Sequence, residues 1–86
     1  MNYYIKIDPN NPTMLKRAEE KLKRLGFSWR GVPREKGVRA LFGTDEAGYA
    51  KIEYASSFCS DSVIRDYIRE HNHQEIFLSA DYEEME

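Results

Sequence analysis

VRALF (Val38–Phe42), GTDEAG (Gly43–Gly48) and YAKIEYA (Tyr49–Ala55) form the stretch whose reading decides this chain's fold. Two apolar runs flank a connector rich in glycine and acids, which is the pattern of an antiparallel hairpin. Val38, Ala40 and Phe42 make the candidate inner face of the first strand. Ala50, Ile52 and Tyr54 make that of the second.

Upstream, NYYIKI at 2–7 alternates, with Tyr3, Ile5 and Ile7 on one side and Asn2, Tyr4 and Lys6 on the other, as a strand does. DPNNP at 8–12 ends it. Asn11 is a plausible N-cap and Pro12 suits the first turn of a helix. Met14, Leu15, Ala18, Leu22 and Leu25 then fall on one helical stripe, and Gly26 stops it. Phe27 and Trp29 share one side of a short strand, followed by a basic loop with Gly31, Pro33 and Gly37.

Downstream, SDSVIRDYIREHN at 60–72 reads as a second helix with Ser60 or Asp61 as cap and Val63, Ile64, Tyr67, Ile68 and His71 on one stripe. EIFLS at 75–79 reads as the last strand, with Ile76 and Leu78 inward. The order β-α-β-β-α-β predicts an α+β fold, a small antiparallel sheet with two helices packed on one face. The ferredoxin-like split β-α-β arrangement is one version of it. The 86 residues make one domain, 1–86, ending in a frayed acidic tail at 80–86.

No apolar run approaches a membrane span, and the N-terminus is not a signal peptide. Cys59 is the only cysteine, so no intrachain disulfide forms, which fits a reducing cytoplasm. The net charge of −2 hides a polarity. Residues 16–39 carry nine bases against three acids, and residues 40–86 carry three bases against eleven acids. Such asymmetry points to charged partners.

His71, Asn72 and His73 share their letters with the HNH nucleases, but that family's residues lie apart on a strand-loop-helix metal motif. Here they are contiguous, so the name does not transfer. Asn72 reads as a helix terminator and His71 as the end of the apolar stripe. A metal would need a third firm ligand, and no spacing supplies one. There is no phosphate loop and no nucleophile motif. The sequence therefore predicts a non-enzyme without metal or cofactor.

Three segments carry a resemblance: EEKLKRLGFSWRGV (19–32), ALF (40–42) and YIREHNHQEIFLSADYEEM (67–85). They resemble small accessory proteins of tailed bacteriophages, through Leu25, Gly26, Phe27 and Trp29, then Glu70, His71, Asn72, Glu75 and Ile76. About half the chain is covered. The long basic loop and the capped second helix depart from the pattern. The resemblance implies a phage or prophage origin, a small mixed α/β fold, the cytoplasm of a bacterial host cell and no particular activity. Some small phage proteins disarm host enzymes or defence systems.

Two functions follow as expectations. The first is a non-catalytic interaction protein that binds, and can inhibit, a bacterial host or phage protein through an acidic face of Asp45, Glu46, Asp81, Tyr82, Glu83 and Glu84. The alternative is a nucleic-acid module using Lys16, Arg17, Lys21, Lys23, Arg24, Arg30, Arg34, Lys36 and Arg39, with Phe27 and Trp29 stacking on bases. A homodimer is compatible with either, since the two oppositely charged segments can pair between chains.

Overall fold

Pro12 and the loop before it turn the chain from its first strand into its first helix. The Asn11 side chain accepts the Met14 amide at 3.1 Å and caps the helix. In the computed structural model, which describes residues 1–78, these elements are β1 (Asn2–Lys6) and α1 (Pro12–Arg24). They are followed by β2 (Ser28–Trp29), β3 (Val38–Glu46), β4 (Tyr49–Ser56), α2 (Asp61–His71) and β5 (His73–Glu75). No helix among the described residues is long and apolar enough to cross a membrane.

The five strands form one sheet in the order β2-β4-β3-β1-β5. β3 runs antiparallel to both β1 and β4, while β5 runs parallel to β1 and β2 parallel to β4. The fold is α+β, with a mixed sheet rather than the expected antiparallel one. The two helices also lie on opposite faces, not one. Leu41 packs with Ile5, Ile52 and the α1 residues Leu15, Ala18 and Leu22. Its neighbours Ala40 and Phe42 pack with Tyr4, Ala55 and the α2 residues Ile64, Tyr67 and Ile68. Successive strand residues point to opposite faces, so the consecutive buried run Ala40–Leu41–Phe42 requires a cover on each. This excludes the ferredoxin-like version with both helices on one side.

A bulge between Val38 and Ala40 breaks the expected inner face. It sends Val38 to the α1 side with Leu41, while Ala40 and Phe42 face α2. The last strand also starts earlier than EIFLS. Asn72 adopts the left-handed conformation, φ 58° and ψ 45°, so the chain reverses at once and pairs from His73. The Ile76 amide still reaches the Tyr4 carbonyl at 2.9 Å, and Ile76 and Leu78 pack against the α1-side core.

The hairpin turn is tighter than the six-residue connector suggests. Glu46 pairs with Tyr49, leaving Ala47 (φ 56°) and Gly48 (φ 82°) as a two-residue turn with both φ positive. A type I′ turn wants Asn-Gly there, and alanine pays for its Cβ in that region. Ala47→Asn should therefore stabilise the fold by about 1 kcal/mol. A thermal melt checks this, and a lowered midpoint would refute the assigned turn.

Candidate functional site: the face under the second helix

α2 begins at Ser60, whose hydroxyl accepts the Val63 amide at 3.3 Å. No residue of α2 is completely buried. The helix rests through Ile64, Tyr67 and Ile68 on a floor of Ala40, Phe42 and Ala55. Small alanines in that floor leave space on both flanks of the helix.

Polar groups pin its C-terminal half. The Tyr67 hydroxyl donates to the Glu53 carboxylate on β4. Lys51 lies 3.5 Å from the same carboxylate and 3.2 Å from that of Glu46. Burial, then the bond to Glu53, pushes the Tyr67 hydroxyl up to about 12. Beside it His73 is 8% exposed, with Nε2 2.8 Å from the Thr44 hydroxyl. Its Nδ1 is buried and makes no hydrogen bond of good geometry among the described residues, although the backbone of Tyr67 and Ile68 lies close to the ring. The rings of His71 and His73 stand 4.4 and 5.2 Å from that of Tyr67.

Thus the histidine run is a junction: Asn72 ends α2, and His73 is a core histidine. Sequence reasoning attended to His71 and Asn72 and missed that His73, Thr44, Tyr67 and Glu53 converge. The signal was polar residues at alternate strand positions, Thr44 on β3 with Lys51 and Glu53 on β4. Among the described residues, no group of three or more His, Cys, Asp or Glu is placed to hold a metal ion.

Burial, and secondarily the neighbouring His71, push His73 below the ordinary histidine value of 6.5. The folded state therefore favours neutral His73. The stability this confers is complete above 6.5 and is lost as pH falls through that value towards the lower folded-state one. His73→Gln keeps a nitrogen for Thr44 but takes no proton. It should flatten the stability profile between about pH 7 and 5. An unchanged profile in chemical denaturation would contradict the assignment.

Two clefts flank α2. One, of about 250 Å³, lies against β4 between Phe42, Tyr54, Ala55, Cys59, Val63 and Ile64, and the Tyr67–Glu53 pair closes one end. Val63 on its wall is 58% exposed, and Phe58, in the turn leading into α2, is 95% exposed. The other, of about 750 Å³, opens towards β1.

The expected acidic face is not assembled among the described residues. Asp45 and Glu46 are exposed, but they are ladder residues at the end of β3 and so point to opposite faces. Glu46 is also engaged by Lys51. Asp81, Tyr82, Glu83 and Glu84, with the acidic tail, lie outside the described residues.

The nine bases do not form one patch either. Lys16, Arg17, Lys21, Lys23 and Arg24 belong to α1, on the far face of the sheet from α2. Lys23 pairs with Glu19 at 3.3 Å, and Arg17, Lys21 and Arg24 each make an interaction of their own. Arg30, Arg34 and Lys36 lie on the exposed 30–37 loop. Arg39 instead bonds to Asp61 and the Cys59 carbonyl at the start of α2. Neither aromatic is a stacking platform. Phe27 is 5% exposed, and the half-buried Trp29 donates its indole N–H to Glu19 at 2.6 Å.

No protein-family model matches this chain, and no curated protein or solved structure matches it.

Proposed function

We propose that the protein is a non-catalytic interaction protein that holds a segment of another protein in the groove between α2 and β4. The partner is a bacterial host or phage protein, in keeping with the resemblance to phage accessory proteins. One observation carries the location. Val63 exposes apolar area on the wall of a groove that is itself apolar, and the exposed Phe58 adjoins Cys59, which also lines it. Exposed apolar surface beside an apolar groove is a usual mark of an interaction site. A buried aromatic anchor at its centre supplies most of the energy in such interfaces.

Phe42, Ala55, Val63 and Ile64 line the groove, which fits an apolar side chain of the partner. Tyr54 pairs with Leu41, so its ring, with the Arg34 guanidinium 5.2 Å away and Arg34 Nη1 3.2 Å from its hydroxyl, lies on the α1 face of the sheet and not in the groove. The attractive surface is then apolar rather than acidic.

Capture from bacterial lysate, run with the wild type and with Phe58→Asp plus Val63→Asp, tests this. Both side chains are exposed, so the variant keeps its fold. A stoichiometric protein that survives nuclease and is lost with the variant supports the groove. A captured protein indifferent to the variant removes it.

A further inference from the structure

The wider cleft, on the β1 flank of α2, has an apolar floor and a cationic mouth. Ala40, Ile64 and Ile68 make the floor. Lys6, Arg39 and Arg65 stand around the opening. Three separate features bring these cations together. The pleat of β1 puts Lys6 on the same face as Tyr4, towards α2. The bulge between Val38 and Ala40 re-aims Arg39 to that face, which is what bulges beside binding sites do. Arg65 projects from α2, one turn beyond Asp61.

Their commitments differ. Arg39 is held by Asp61 and the Cys59 carbonyl. Lys6 stands 4.0 Å from Glu75, and its side chain is 74% exposed. Glu75 in turn accepts the Tyr4 hydroxyl at 2.9 Å. Arg65 is exposed and has no partner among the described residues. Cations thus outnumber the acids that face them, and two of the three are available to a ligand.

We propose that this cleft binds a small amphipathic anion. A carboxylate or phosphate head would sit between Arg65 and Lys6, with an apolar body laid over Ala40, Ile64 and Ile68. The volume of about 750 Å³ suits a small ligand. A guanidinium fork accepts either head group in a two-point contact. The site is separate from the β4-side groove and stands without it.

The test is an NMR titration of the full chain with hexanoate, hexyl phosphate, hexanol and inorganic phosphate. Hexanoate or hexyl phosphate should move the Ala40, Ile64, Arg65 and Ile68 amides at concentrations at least about tenfold below those needed for hexanol or inorganic phosphate. The tighter of the two anions identifies the head group. Lys6→Glu with Arg65→Glu, both surface changes, should erase the preference. Equal binding of hexanol would reduce the cleft to an apolar groove, and equal binding of inorganic phosphate to a surface cation; either overturns the proposal. Shifts at Ala55 and Val63 instead would also overturn it, by placing the anion on the other flank.

Discussion

Leu22→Ala is expected to destabilise the fold by about 3–5 kcal/mol, and Gly43→Ala to cost less in its presence than alone. Leu22 is completely buried at the centre of the α1-side core. Truncating it removes apolar contact and leaves a cavity. Gly43 sits opposite, inside β3, where α1 and the Phe27 ring press against the strand. A Cβ there would lie 2.9 Å from Leu22 Cδ2 and 3.0 Å from Phe27 Cδ2. Gly43→Ala alone should therefore cost about 1–3 kcal/mol through overpacking. In the double variant the new methyl enters space that Leu22 vacated. The two losses should then fall short of their sum by about 1 kcal/mol in urea denaturation. Strict additivity would contradict the close approach of α1 to β3.

Tyr67→Ala is the second large effect, because α2 has no fully buried residue to hold it. The helix depends on three half-buried side chains and on the Tyr67–Glu53 bond. Loss of the ring and the bond should cost about 2–3 kcal/mol. Tyr67→Phe, which loses only the bond, should cost about 1 kcal/mol. Amide exchange should reveal where the loss falls. In Tyr67→Ala, α2 amides should accelerate far more than those of α1, as a locally opening unit does. Equal acceleration in both helices would mean that α2 is not a separately anchored element.

The hairpin, both helices and their caps were legible in the sequence, because each is set by local spacing and a capping residue. Asn11, Ser60 and Asn72 mark their helix ends as their chemistry dictates. The layering differs from the expected one for a reason equally local. Ala40, Leu41 and Phe42 are consecutive and all buried, which means a strand covered on both faces. Pairing that run with an alternating inner face concealed the second layer. The bulge at Val38–Ala40 had no sequence signal strong enough to place it, yet it decides where Arg39 points. A count of charges says nothing of faces. Asp45 and Glu46 are adjacent on a strand and diverge, and the bases of α1 lie across the sheet from Arg39. The apolar groove was hidden because Phe58 lies outside the helical stripe and Val63 reads as part of it.

Affinity for the captured partner is the most direct measurement of where binding occurs. Phe58→Ala with Val63→Ala should raise Kd by at least about tenfold, as expected when exposed anchors are truncated. Lys16→Glu, on α1 and across the sheet, should change it by less than about twofold. The opposite pattern, with Phe58 and Val63 silent and Lys16→Glu or nuclease abolishing the complex, would contradict the groove as the binding surface.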